Sequence, residues 1–211
     1  MNRSALLTLT CFLTGCSILG GDPLPLYTLK SQTIEPTPVL NDTIAIDVPL
    51  SEASLNTDRI AVTLPPYQRD YLADGQWPDR LPKVVQEVLI DSLSQRWGGA
   101  HITRLSAGLQ SKYILQTEIQ DFSVMNLGTE KPMVHLKIMM KLVDLTGRKV
   151  LTAQTFEETM CLRSATVTGI VEGFNCSLHA LIEKSIPWME SEFLKERSLN
   201  SRNDKLGRES R

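Results

Sequence analysis

The run "MVHLKIMMKLVDLTGRKVLTAQTF", residues 133–156, constrains this chain more than any other stretch. Val134, Leu136, Ile138, Met140 and Leu142 recur at every second position, and His135, Lys137, Met139 and Lys141 stand between them. Successive side chains of a strand point to opposite faces, so this is a strand with one face on a core and one toward water. "DLTGRK" puts Gly147 in a tight turn, and "VLTAQTFEETM" returns as a second long strand. Long runs joined by so short a turn pair antiparallel. Upstream, "KYILQTEIQDF" aligns Tyr113, Leu115, Thr117 and Ile119 on one face. The register changes before Phe122, which predicts a bulge near Asp121.

A sheet with one apolar face needs a cover, and the sequence supplies two helices. Leu81, Val84, Val85, Val88, Leu89, Leu93 and Trp97 form one stripe of 3.6-residue period, with Pro82 tolerated in the first turn and Gly98-Gly99 as the stop. Ile170, Val171, Phe174, Leu178, Leu181 and Ile182 form a second stripe, on a helix from about Val167 to Pro187. Trp188, Met189 and Phe193 prolong that face. "PLPLYTLK" reads as a short first strand, residues 31–42 as a loop, and "TIAIDVP" as a strand ended by Pro49. Arg59–Leu64 and Gln68–Leu72 flank Pro65-Pro66 as a hairpin, with Asp74-Gly75 as a further turn. The expected fold is α+β: one mixed, mainly antiparallel sheet with two amphipathic helices on one face. An α/β sandwich with a parallel edge pair is the alternative.

The N-terminus addresses location. Arg3 is the only charge before Asp22, and Ala5 to Leu13 are nearly all apolar or small. That is a signal-peptide pattern, about half the length of a membrane-spanning helix. "LTGC", Leu13 to Cys16, closes it and resembles the bacterial lipobox. The resemblance implies cleavage before Cys16 and a covalent diacylglycerol and N-acyl chain on its thiol and amine, with no other cofactor. Multiple chains hold a protein stably where one does not. Ser17, rather than Asp, follows the cysteine, which in the enteric sorting rule implies the periplasmic face of the outer membrane. The expected divisions are a signal peptide over 1–15, a lipidated tether over 16–23, a single domain over 24–194 and a disordered charged tail over 195–211.

Net charge is −2, so no basic field draws nucleic acid. Cys161 and Cys176 remain in the mature chain, and in an oxidising compartment they form either a disulfide or two separate thiols. No CxxC or HxxxH pattern suggests a metal.

In order, the lipobox, "LYTL", "IAIDVP", "DRIAV", "YLADGQWPDRLPKVVQEVLIDSL", "LQTEIQDF", "VHLKIMMKLVDLTGRKVLTAQTF" and a last helix near "PWM" resemble the ABC-type transport auxiliary lipoproteins. The paraquat-inducible membrane-integrity type is among them. The resemblance covers nearly all of the mature chain to Trp188. It implies a non-catalytic, periplasm-facing subunit of a lipid transport system. The implied partners are a mammalian-cell-entry-type substrate-binding protein and an ABC permease complex, with a homo-oligomeric ring by the same analogy. Only Cys16 acquires a defined chemical role. The second reading is an outer-membrane structural or assembly lipoprotein not tied to an ABC transporter.

A third reading, a hydrolase, needs a histidine beside a serine and a carboxylate. His101, His135 and His179 are scattered, and neither GxSxG nor HExxH occurs. Glu157, Glu158 and Asp70 read as solvated. Tyr67, Trp77 and Met139 are the candidates for a surface facing a partner or lipid. For Trp77 the competing reading is packing against the first helix, and for the methionines core filling.

Overall fold

A computed structural model describes residues 23–37, 42–66 and 68–209. In chain order the elements are β1 (Ile44–Ile46), β2 (Leu50–Ser51), β3 (Arg59–Leu64), β4 (Gln68–Gln76), α1 (Leu81–Trp97), β5 (Ile102–Arg104), β6 (Tyr113–Met125), β7 (Met133–Asp144), β8 (Lys149–Cys161) and α2 (Val167–Glu209). The eight strands form one sheet, and β6 organises it. On one side β6 pairs antiparallel with β7, which pairs antiparallel with β8. On the other side β1, β2 and β3 lie parallel to it in succession, with β5 outside β1 and β4 outside β3. The fold is therefore α+β as expected. The antiparallel part is the long β6–β7–β8 ladder together with the β3–β4 hairpin, and the parallel pairings are short.

α1 packs over β1 and β5, and α2 over β7 and β8. Beneath them the alternate residues Val134, Leu136, Ile138, Met140 and Leu142 are completely buried. The predicted stripe of α1 is buried throughout, and Gly98 ends the helix at φ 90°, a value that favours glycine. The core centres on three rings, two from elements and Trp77 from the connection between β4 and α1. Phe122 of β6 stacks on Phe174 of α2 with centroids 4.6 Å apart, and Trp77 meets both edge-on at 6.2 and 5.8 Å. Such pairs add about 0.5–1.5 kcal/mol each beyond their buried area. The bulge lies between Ile119 and Asp121; it rephases β6 so that Phe122 points inward.

Three local expectations fail for identifiable reasons. "PLPLYTLK" pairs through a single bridge, Leu26 to Gln76, rather than as a strand, since Pro23 and Pro25 lack the amide hydrogens a ladder needs. Asp74-Gly75 is not a turn but lies within β4. A Cβ on Gly75 would fall 2.8 Å from both the Tyr27 ring and Val167, so its role is close packing. The segment expected to be a disordered tail continues α2, which passes through Pro187 and runs to Glu209. Ile186, Met189, Phe193 and Glu196 are all buried, so tertiary packing carries the helix past the proline and past Lys195.

Candidate functional site: the uncovered face of the sheet

The helices cover one face of the sheet. The opposite face presents the in-between residues of each strand, and their side chains interact laterally. From β4, Arg69 Nη1 donates to Thr63 Oγ1 of β3 at 2.7 Å and to Asp121 Oδ1 of β6 at 3.1 Å, while its Nη2 reaches Glu52 at 3.3 Å. Asp121 Oδ2 lies 2.8 Å from Nδ1 of His135 on β7, and the other ring nitrogen lies 2.8 Å from Glu157 Oε1 on β8. Lys137 Nζ stands 3.6 Å from the second oxygen of Glu157. A polar line thus crosses the sheet from β4 to β8. His135 and Asp121 are mostly shielded, at 16% and 19% side-chain exposure, while Glu157 is half exposed. Burial resists charging the His135 ring, but hydrogen bonds to Asp121 and Glu157 outweigh it, so its pKa is raised. The hydrogen bond from His135, helped by Lys137, holds the Glu157 carboxyl below its ordinary range.

This is the arrangement the hydrolase reading required, and its bonding answers the question of a nucleophile. Ser123 lies opposite His135 across the β6–β7 ladder, one residue beyond Phe122 from Asp121. Its hydroxyl is bonded to Thr63 Oγ1 at 2.8 Å, while both imidazole nitrogens are taken by carboxylates. A general base needs a free nitrogen within reach of the hydroxyl proton, and His135 has none to offer in this arrangement.

A second buried polar cluster ties α2 to the sheet. The Tyr113 hydroxyl donates to Glu196 of α2; beside it, at the partly exposed edge of the cluster, Lys112 Nζ reaches Asp42 at 3.1 Å. Burial, reinforced by the bond to Glu196, pushes the Tyr113 phenol up to about 12. Asp144 is buried nearby and accepts from the Thr146 amide at 2.8 Å. Burial opposes its ionisation, but the amides of Gly147 and Thr146 and a bond to Glu196 prevail, so its pKa is lowered.

The candidate residues fall apart on this framework. Met139 does lie on the uncovered face, half-buried between Glu118 of β6 and Thr155 of β8. Trp77 does not face outward: it is 1% exposed and packed edge-on against the stacked Phe122 and Phe174 rings, which corrects its place among the surface candidates. Cys161 and Cys176 are exposed free thiols that line one groove of about 300 Å³ beside Gly169 and Gly173, so the disulfide expected as one of two states is not formed here. Cys16 and Tyr67 lie outside the described residues. Among the described residues no group of three His, Cys, Asp or Glu side chains is placed to hold a metal, and no helix is long and apolar enough to cross a membrane. Sequence reading missed Arg69 and took Glu157 as merely solvated. The signal was present: a hairpin turning at Gly147 places Lys137 opposite Glu157, as the ladder shows.

A family model described as "ABC-type transport auxiliary lipoprotein component" matches residues 27–184. The chain belongs to this family. The description places the family's members among the lipoprotein components auxiliary to ABC-type transport. An uncharacterized protein of Bradyrhizobium diazoefficiens is 28% identical over 150 residues, a match spanning 71% of this auxiliary lipoprotein but 40% of that relative. The solved structure of XCC0632 from Xanthomonas campestris superposes with a TM-score of 0.73 at 15% identity, covering 82% of this chain and 98% of that one. A second solved structure, of an uncharacterized protein, gives 0.60 at 13% identity over 77% and 99%. At such identities these two establish the shared fold.

Proposed function

We propose that this auxiliary lipoprotein is held by acyl chains on Cys16 at the periplasmic face of the outer membrane. It acts there as a docking and scaffolding subunit of an ABC-type lipid transport system linked to a mammalian-cell-entry-type protein. The observation that carries the reading is the family match, which begins at Tyr27, eleven residues after a cysteine set in a lipobox-like sequence. Seven residue steps separate Cys16 from Pro23, where the described domain begins, and they reach about 25 Å when extended. The domain therefore works close to its membrane, and its partner complex must come to it. His135 faces carboxylates and Ser123 bonds Thr63 in its place, which supports a role without catalysis. The uncovered face around Met139, rimmed by Lys137 and Lys141, is the surface offered to the partner or to lipid, and assembly into a homo-oligomer would multiply that surface.

Two experiments test this. Cells fed labelled palmitate should label the native chain and not the Cys16→Ala variant; equal labelling would remove the anchor. Affinity capture of the native lipoprotein from solubilised envelopes should recover the permease, ATPase and mammalian-cell-entry-type proteins. Recovery of outer-membrane assembly factors in their place would favour the second reading, a structural lipoprotein outside any transporter.

A further inference from the structure

His135 sits between a strand in the middle of the sheet and the strand at its edge. On one side Asp121 of β6 is fixed by Arg69 at 3.1 Å and by the amide of Phe122 at 2.8 Å. On the other side Glu157 of β8 is half exposed and has Lys137 at 3.6 Å. Both carboxylates, when ionised, only accept hydrogen bonds. A neutral imidazole carries one N–H and can satisfy one of them; the imidazolium carries two and satisfies both. The charged groups on this line are Glu52, Asp121 and Glu157 against Arg69 and Lys137, so a proton on His135 brings the cluster to neutrality. Its remaining neighbours in the ladders, Ser123 and Thr159, and Thr63 beyond Ser123, carry no charge.

We propose that His135 is a proton-operated tie across β7: as imidazolium it bridges Asp121 to Glu157, and on deprotonation it keeps Asp121 and releases Glu157. Asp121 is retained because it is the more buried: Arg69 and the Phe122 amide serve only its Oδ1, and leaving the shielded Oδ2 without a donor costs more than turning an exposed carboxylate to water. Release frees a carboxylate on the edge strand, two residues from Thr155, the partner of Met139. It thereby alters both the charge and the restraint of the uncovered face. The raised pKa of the ring agrees with this geometry and fixes the direction. A histidine whose folded pKa lies above its unfolded value of about 6.5 contributes stability that is full below 6.5 and lost as pH rises through the folded value. The tie is closed in mildly acid conditions and opens toward alkaline pH.

The chain has three histidines, so full-length protein labelled with ¹⁵N-histidine in detergent micelles gives a resolvable titration. His135→Gln identifies the His135 signals. Both ring nitrogens should show imidazolium shifts with a midpoint above 6.5, and Glu157→Gln, an exposed change, should lower that midpoint by about one pH unit. A midpoint at or below 6.5, or one that Glu157→Gln leaves unmoved, overturns the proposal. Urea midpoints give an independent reading. The gap between native protein and His135→Gln should be present at pH 6 and close by pH 9, whereas a gap independent of pH would make His135 a packing residue only.

Discussion

Gly169 shows how one atom sets the packing of a whole helix. It lies in the first turn of α2, where alanine would ordinarily gain about 1 kcal/mol in helix propensity. A Cβ there would lie 2.7 Å from the backbone oxygen of Ser164, which cannot swing aside as a side chain can. At Gly173, one turn on, the obstructing atom is the flexible end of Leu162. Gly169→Ala should therefore destabilise the protein by roughly 1–3 kcal/mol, the usual cost of overpacking, despite the better propensity. Urea denaturation checks this, and a raised midpoint would show that the loop before α2 yields. Trp77 teaches a related lesson. A tryptophan near a proline-rich hairpin suits a binding surface as well as packing against the first helix, the reading the sequence favours; the bulge that turns Phe122 inward, with Phe174 of α2, gives it two aromatic partners in the core.

At the scale of elements, the question is where α2 stops mattering. Its end passes Trp97 and Tyr113 through Phe193, with ring centroids 5.7 and 5.1 Å away, and Glu196 then takes the Tyr113 hydroxyl. Glu196→Ala leaves that buried hydroxyl without its acceptor, which costs about 1–3 kcal/mol. We expect a lower urea midpoint and faster amide exchange from Trp188 onward; unchanged stability would return these residues to the status of a tail. The strands and α1 were legible because their periodicities repeat: period two through β7, the Gly147 turn, and seven stripe positions in α1. The end of α2 was not, because its cause is distant. Glu196 is an ordinary charged residue until Tyr113 and Asp144, far away in sequence, close around it. The same holds for the polar line across the sheet. His135 and Glu157 follow from the hairpin register, but Arg69 joins them only through the parallel pairing of β3 with β6, which no local pattern announces.

For the whole molecule, the proposed tether would turn position into function. Under the proposed anchor at Cys16, about 25 Å of reach would not let the domain serve two membranes at once, so the identity of its membrane would decide which partners it meets. Ser17 is the residue that separates the two destinations under the enteric sorting rule. Ser17→Asp should leave acylation of Cys16 intact, because the thiol and the residues before it are unchanged. It should shift the protein from outer- to inner-membrane fractions on a sucrose gradient. Cys16→Ala should instead lose acylation and membrane association together. Since the folded domain is the same in all three proteins, loss of partner capture in Ser17→Asp with retained acylation would locate the docking event at the outer membrane. Capture that survives relocation would mean that the uncovered face meets its partner from the inner membrane. The outer-membrane assignment would then fall, while the anchor and the fold would stand.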